Sequence, residues 1–350
     1  MKICIIGNGN ISHALVGFLG NKNNVELSIY STNKITSYFK DIAVFDDDKK
    51  LKTKGKVNRI VSNPKDVIPN SDIIIFAIPS FARRNYLKKI SPFVKANTII
   101  GSFPGSGGFN LEVEKYIHEN ITVFSSQRVP FIARIIDYGK SVSVSKKDSI
   151  SVAIKGDRSN EVKDILESLL EMNIYILDTF LEINLSNSNP ILHTSRLYSL
   201  FKNFNYDRPW SKNILFYEKW DLESSKQTLG MDDEFMKIVS KLNLKGIKPL
   251  REHYDVINEV ELTSKLSSIN AFKGIYTPMV KTSKGFIPDF DSRYFTEDIS
   301  FGLVIIKWFA KKLNINTPNI DKVLNWYEKT NTKPSTSLNL DCFKEEELFS

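Results

Sequence analysis

The chain opens on a short apolar run, Ile3 to Ile6, in which β-branched residues dominate. An apolar run of that length without alternation predicts a strand buried on both faces. Gly7, Asn8, Gly9 and Asn10 interrupt it, and Ala14, Leu15, Phe18 and Leu19 follow at helical spacing, so the opening segment reads as strand, tight turn and helix. Residues 25–31 (VELSIYS) predict a second strand, residues 41–56 a charged loop or edge hairpin, KVNRIVSN a third strand, and PKDVIPN a short helix and turn. The unbroken apolar run in residues 71–80 (SDIIIFAIPS) predicts a central parallel strand, followed by a helix from Phe81 to Ile90. NTIIGSFPGSGG predicts a strand entering a glycine-rich loop over 101–108. Between 121 and 154 three short β-type runs appear, ITVFSS, SVSVS and ISVAI, and then a helix over 159–171 and the strand NIYILD.

Strand and helix alternate up to residue 185, the pattern of a doubly wound α/β sheet. Beyond it the period changes. NPILHTSRLYSLFKN, ILFYEKWDLESSKQTLG, MDDEFMKIVSKLNLK, the stretch from His253 to Leu266 and ISFGLVIIKWFAKKLN all carry helical spacing. The expected organisation is a nucleotide-binding domain over residues 1–185, an all-α domain over 186–330 and a polar tail over 331–350.

The opening turn carries chemistry. Gly7-x-Gly9-x-x-Ser12 is the spacing of a dinucleotide-binding turn: one glycine turns the chain, the next removes the Cβ that would block a pyrophosphate, and a small residue lets helix and strand pack closely. The helix N-terminus, with Asn8, Asn10 and Ile11 beside it, then offers N–H groups to phosphate. In such sheets ligands bind at the carboxyl ends of the strands, which brings in Ile78, Pro79 and Ser80. At the end of the second strand a carboxylate normally accepts the ribose hydroxyls of NAD. Here Tyr30 or Ser31 stands there, followed by Thr32, Asn33 and Lys34. Hydroxyls, an amide and a cation suit a 2′-phosphate, so NADP(H) is favoured over NAD(H). Arg83 and Arg84 either reach a phosphate or carboxylate or form a solvated helix face.

Charge refines this picture only slightly. The formal net charge is +8, but the lysines are dispersed and no basic block forms, so neither nucleic acid nor an acidic lipid surface is indicated. Two cysteines, Cys4 and Cys342, have no spacing for a disulfide or a metal site, which fits a reducing cytoplasm without a metal. Gly7 to Asn10 break the apolar N-terminus before it reaches signal-peptide length, and no stretch of about 20 apolar residues predicts a membrane span.

Hydride transfer to a carbonyl or imine needs a proton donor, and histidine titrates near neutrality. Of the four histidines, His13 lies on the opening helix, where packing or surface is the better reading, and His118 is expected on the surface. His253 sits among Arg251, Glu252 and Asp255, as a surface residue or a substrate contact. His193, in Asn189-Pro190-Ile191-Leu192-His193, opens the helical half, where a cleft between domains is expected. A second constellation runs from Ser292 to Asp298. Its simplest reading is a helix start, with Thr296 capping and Glu297 and Asp298 complementing the macrodipole, which leaves Arg293 unexplained.

These residues together resemble the NAD(P)-dependent opine dehydrogenases, the octopine/nopaline dehydrogenase group. The resemblance rests on Gly7-Asn8-Gly9-Asn10, Ala77-Ile78-Pro79-Ser80, Pro104-Gly105, Val129-Pro130-Phe131 to Arg134, Asn189-Pro190 with His193, Ala271-Phe272-Lys273-Gly274, and most strongly Arg293-Tyr294-Phe295-Thr296-Glu297-Asp298 continued through Gly302-Leu303-Val304 to Thr317-Pro318. It implies an N-terminal Rossmann-type domain and an all-α domain like the C-terminal domain of 6-phosphogluconate dehydrogenase. It also implies His193 as general acid/base, Asp298 as its orienting partner, and Arg293, together with Arg134, as contacts to the substrate. Two departures stand out: Ser12 replaces glycine or alanine, and Ala82-Arg83 stands where the family often has an alanine-histidine pair.

The implied activity is NADPH-dependent reductive condensation of an α-keto acid with the amino group of an amino acid or another amine. Reduction of a keto acid to a 2-hydroxy acid and a non-catalytic NADP(H)-binding sensor remain as alternatives. The keto acid, the amine, the direction and the formation of a homodimer are left open by the sequence.

Overall fold

The apolar opening run becomes a strand because protein covers it on both sides. The computed structural model describes residues 1–32, 39–331, 338–343 and 348. It divides into two units, Met1–Asn184 with Phe343–Ser350, and Leu185–Cys342. In chain order the first carries β1 (Lys2–Ile6), α1 (Asn10–Leu19), β2 (Glu26–Tyr30), β3 (Asp41–Phe45), β4 (Leu51–Lys56), β5 (Arg59–Val61), β6 (Ile73–Phe76), α2 (Ser80–Ile90), β7 (Ile99–Ser102), α3 (Phe109–Tyr116), β8 (Thr122–Ser126), β9 (Phe131–Asp137), β10 (Ser141–Lys146), β11 (Ser149–Lys155), α4 (Ser159–Leu170) and β12 (Asn173–Ile176), with α5 (Phe180–Leu185) at its end.

Eight strands form one sheet in the order β12-β11-β8-β7-β6-β1-β2-β5, parallel except where β11 meets β8. Side chains divide between its faces with the strand period of two. Ile3 and Ile5 enter one core with Ile73 and Ile75, while Cys4 and Ile6 enter the other with Ile74 and Phe76. Helix α1 covers the first face through Ala14, Leu15, Val16 and Leu19. Helices α2 and α3 supply Tyr86, Leu87, Ile90, Phe109 and Val113 to the second. A strand covered twice has no polar side to show, which is why these runs read as continuous apolar.

The charged segment 41–56 is a hairpin, β3 against β4, and belongs to a second sheet of order β4-β3-β10-β9. This sheet packs on α1, and a Cβ on Gly17 would stand 2.1 Å from Val44 Cγ2, so glycine allows the approach. Strand β9 was not expected from the pattern. Phe131 and Ala133 point inward, but Ile132 and Ile136 are 56% and 60% exposed, so the alternation that marks a half-buried strand is missing.

The second unit contains α6 (Asn189–Phe201), α7 (Leu222–Lys241), α8 (Leu250–Tyr254), α9 (Glu259–Ser268), β13 (Met279–Thr282), β14 (Gly285–Pro288), α10 (Arg293–Thr296), α11 (Val304–Lys312) and α12 (Pro318–Thr330). It is helical with one exception to the all-α expectation, the antiparallel hairpin of β13 and β14. Two expected helices are shorter than their periodicity. The stretch 214–220 is irregular, and α7 starts only after Asp221, whose carboxylate accepts from Ser224 N–H at 2.8 Å. The stretch from His253 to Leu266 breaks at Asp255, which adopts φ +54°, and restarts where Asn258 accepts from Val260 and Glu261 N–H. Among the described residues no helix is long and apolar enough to cross a membrane.

Candidate functional site

In the first unit the turn after β1 is shaped by two glycines with different tasks. Gly7 has φ +115°, its N–H donates to Tyr30 O at 3.1 Å, and a Cβ there would lie 2.6 Å from Ile78 Cγ2 and 2.9 Å from Ala77 O. Any side chain would therefore push β1 and the end of β6 apart. Gly9 caps α1 from an ordinary φ of −86°, and nothing lies within 4 Å of where its Cβ would be. Its missing side chain leaves open space before a helix N-terminus that has no side-chain cap and no acid in its first turn. These features fit a pyrophosphate, whose charge the helix end and its N–H groups favour. Asn10 Oδ1 accepts from Ile135 N–H at 2.9 Å, which ties the turn to β9. Ser12 is buried under the helix.

Around this turn the expected contacts are sorted by burial. Ile11, Ile78 and Pro79 are half-buried, and Ser80 is buried with its hydroxyl directed at Ser106 O, 3.4 Å away. Ser31 is buried, whereas Thr32 is exposed and its N–H and hydroxyl both meet the Tyr86 hydroxyl at 3.1 Å. Lys34 and Asn33 lie outside the described residues. Arg83 is neither a solvated face nor free for a ligand: it is 1% exposed, Nη1 donates to Ser106 O at 2.5 Å, Nη2 donates to Pro104 O at 2.8 Å, and its guanidinium lies over Phe109. Its planar fork thus holds the glycine-rich loop between β7 and α3. Arg84 is half-exposed, 3.7 Å from the Glu112 carboxylate.

Three of the four histidines are structural or peripheral. His13 is fully buried, with Nδ1–H donating to Gly9 O at 2.8 Å and Nε2 accepting from Gly139 N–H at 2.9 Å. Burial lowers its pKa, so the ring is held neutral. His118 and His253 are exposed.

His193 differs from these, and both of its ring nitrogens are engaged. It lies one turn into α6 and is 9% exposed. Nδ1 is 2.7 Å from Asp298 Oδ2 and Nε2 is 2.8 Å from the Tyr217 hydroxyl. A carboxylate only accepts, so Nδ1 carries the proton and, in the neutral ring, Nε2 accepts from Tyr217 O–H. Tyr294 stacks on the imidazole at 4.4 Å, and Phe216 meets it edge-on at 5.7 Å. Asp298 directly precedes a π turn but makes no side-chain cap to it, its carboxylate going to His193 instead, and Thr296 is not a cap. Ser292 holds the N-cap place of α10, and the Thr296 hydroxyl donates to Ser292 O at 3.1 Å. Between α10 and α11 the backbone widens into a π turn, Ile299–Leu303, with Leu303 N–H donating to Asp298 O at 2.9 Å. Such turns re-aim side chains and cluster at functional sites. The widened turn lies close on α6, since a Cβ on Gly302 would stand 2.3 Å from Pro190 Cγ.

Sequence reasoning missed Tyr217, whose only signal was the aromatic density of Phe216, Tyr217 and Trp220. The phenol stacks on Phe272 at 4.1 Å, and its pKa is pushed up, mainly by burial and then by Tyr294, Tyr254 and Asp298. Arg196, one turn beyond His193 on α6, secures its loop. Nε donates to Phe216 O at 3.2 Å, Nη2 to Lys219 O, and Nη1 to Asp221 Oδ2 at 2.6 Å. Arg293 is exposed at the start of α10, and its side chain has no ion pair or hydrogen bond among the described residues. Arg134 is exposed on β9, with Nη1 donating to Ala133 O at 3.0 Å.

Comparison with known proteins relates both halves of the chain to dehydrogenases. The model for the NAD/NADP octopine/nopaline dehydrogenase alpha-helical domain matches residues 176–331, and that for the NAD-dependent glycerol-3-phosphate dehydrogenase N-terminus matches residues 2–133. A tauropine dehydrogenase of Arabella iricolor is 30% identical over 93% of this chain and 90% of its own. An opine dehydrogenase of Haliotis discus hannai is 27% identical over 94% and 90%. An octopine dehydrogenase structure with NADH and L-arginine superposes with a TM-score of 0.81 at 22% identity, covering 97% of this chain and 92% of that one.

Proposed function

The chain belongs to the opine dehydrogenase family, NAD(P)-dependent oxidoreductases acting on CH–NH bonds, and from that premise we propose which residues carry its reductive condensation of an α-keto acid with an amine. His193 is the general acid and base. In the condensing direction it delivers the proton that lets the carbinolamine lose water, and in the reverse direction it takes that proton back. Asp298 holds the ring in the tautomer with Nδ1–H and offsets the positive charge when Nε2 is protonated. The exposed guanidinium of Arg293 binds the carboxylate of the keto acid, because its fork matches two carboxylate oxygens. Arg134 is a second cation for substrate.

A nicotinamide dinucleotide bound at the turn of Gly7 to Ile11, with Ile78, Pro79 and Ser80 beside it, supplies the hydride. NADP(H) is the preferred form in this reading. Its support is the end of β2, where Tyr30, Ser31 and Thr32 stand and the described residues of the turn hold no carboxylate to repel a 2′-phosphate. For the substrates, the structures similar to this chain point to a pyruvate-like keto acid, since octopine dehydrogenase has been solved with pyruvate.

The observation that carries the reading is the buried 2.7 Å contact between His193 Nδ1 and Asp298 Oδ2. The test is His193→Asn, assayed with pyruvate and a panel of amines. Turnover falls by about 100-fold or more while NADPH still binds, in line with the usual worth of general acid–base catalysis. Unchanged turnover removes His193 from the mechanism. Full-rate NADPH oxidation with keto acid alone replaces the condensation with simple reduction to a hydroxy acid.

A further inference from the structure

The imidazole of His193 has no ring nitrogen left to face a substrate. Nδ1 is taken by Asp298 and Nε2 by the Tyr217 hydroxyl, one ring face is covered by Tyr294, and Phe216 packs perpendicular to the ring. A proton leaving the ring therefore has two hydrogen bonds to follow, and the one to Asp298 ends on a carboxylate that is 6% exposed. We infer that Tyr217 is a catalytic relay, and that protons pass between His193 Nε2 and the reacting oxygen of the substrate through the Tyr217 hydroxyl. This rests on the proposed role of His193.

The surroundings of Tyr217 favour a relay over a side chain that swings aside. Its ring is stacked on Phe272 at 4.1 Å with an interplanar angle of 20°, and runs nearly parallel to Trp220 at 5.9 Å and 9°. Its loop is pinned at both ends. Phe216 N–H donates to Ile275 O at 2.7 Å, and Arg196 donates to Phe216 O and Lys219 O. Moving the hydroxyl away would unstack two aromatic rings and unseat a buried guanidinium. Burial, with Tyr294, Tyr254 and Asp298 nearby, keeps the phenol protonated. That state suits a relay, which gives one proton as it takes another and never accumulates a phenolate.

The step balances as follows. With the ring protonated, Nε2–H donates to the Tyr217 oxygen and the Tyr217 O–H donates to the carbinolamine hydroxyl. Tyr217 passes its proton to that hydroxyl while taking the one from Nε2. The C–O bond breaks, water leaves with the bonding electron pair, the nitrogen lone pair forms the iminium, and the imidazole is left neutral. Tyr217 then donates to Nε2, the arrangement seen in the structure.

The experiment is Tyr217→Phe, which deletes one oxygen and keeps the stacked ring. Wild type and variant are assayed with pyruvate and, in turn, taurine, L-arginine and agmatine, with NADPH and NADH. The variant loses about 100-fold in kcat, with KM for pyruvate and the affinity for NADPH unchanged. Rates in H2O/D2O mixtures bow downward for wild type, as two protons move together, and become linear in the variant. A kcat like that of wild type, or a fall in kcat with the bowed dependence retained, overturns the relay. A fall matched by lost thermal stability and lost nucleotide affinity assigns Tyr217 a structural role and overturns it too. An arm independent of turnover uses 15N NMR of the histidine side chains. Tyr217→Phe shifts the Nε2 resonance of His193 toward that of a free acceptor while Nδ1 stays protonated. If Nε2 does not respond, the hydrogen bond is absent and the relay falls. A wild type inactive with every amine but carrying the NMR response instead refutes the substrate reading alone.

Discussion

Replacing Asp298 by asparagine separates the charge of the dyad from its hydrogen bond. The amide keeps the shape of the carboxylate and its oxygen can still accept from His193 Nδ1–H, so the buried ring stays paired and only the negative charge goes. Asp298→Ala would instead leave a buried N–H unpaired, costing about 1–3 kcal/mol of stability and confusing the result. The carboxylate oxygen stands 2.7 Å from Nδ1. Two unit charges about 4 Å apart at the effective dielectric of a protein site attract by about 4 kcal/mol, partly offset by desolvation, so about 2–4 kcal/mol of stabilisation of the protonated ring is lost. If that charge develops in the transition state, turnover falls by about 30-fold to about 1000-fold. The assay follows loss of reduced nicotinamide with pyruvate and the accepted amine, alongside NADPH binding by fluorescence titration and a thermal melt. Nucleotide affinity is expected to hold, because the glycine turn belongs to the first unit. A folded Asp298→Asn that turns over at the wild-type rate would refute the reasoning, and so would a loss of nucleotide affinity as large as the loss of rate.

The two glycines of the opening turn give opposite signatures. Gly7→Ala forces a Cβ to within 2.6 Å of Ile78 Cγ2 at φ +115°, so about 1–3 kcal/mol of strain lowers the melting temperature. Gly9→Ala meets no atom within 4 Å and melts like wild type, but it fills the space before the helix and weakens NADPH binding measured by calorimetry. Equal effects on both measurements at both positions would argue against a phosphate seat. His13 supplies the pH dependence. Burial holds its folded pKa below the ordinary value, so the unfolded chain takes up the proton first. The stability this residue contributes is complete above about pH 6.5 and is lost as pH falls through and below that value. Melts of wild type and His13→Gln across that range check it, the substitution being expected to flatten the acid side of the curve.

Much of the fold could be read from periodicity because its central strands are buried on both faces and its helices follow them directly. The opening strand, turn and helix, the run at Ile73 to Phe76 and the change to helical spacing after residue 185 all belong to that kind of signal. What escaped was structure whose pattern is set by partners far along the chain. Strand β9 carries isoleucine on its inner and outer faces, so no two-residue period survives. The irregular stretch 214–220 looks helical in composition, yet two of its carbonyls, Phe216 O and Lys219 O, are held by the Arg196 guanidinium. Arg83 read as a surface or ligand-binding cation because composition cannot reveal that the carbonyls of Pro104 and Ser106 stand ready to receive it.

The site shows the same limit more sharply. His193 and Asp298 are 105 residues apart, and no local rule pairs them. Composition and spacing alone read Asp298 as a macrodipole acid, and only the order of motifs along the chain suggested otherwise. Two local features accompany the pairing. Gly302 lets the widened turn settle against Pro190, and the π turn begins directly after Asp298, whose carboxylate reaches His193 on α6. One extra residue in the turn offsets Asp298 from α11 by about 100° of helix rotation relative to a regular α-helix, so the dyad is expected to depend on it. Deleting one residue between Ile299 and Leu303 should restore regular helix and separate the pair, abolishing turnover while leaving the nucleotide turn, in the other unit, able to bind NADPH. A deletion variant that folds and retains turnover would show that the π turn has no part in aiming Asp298.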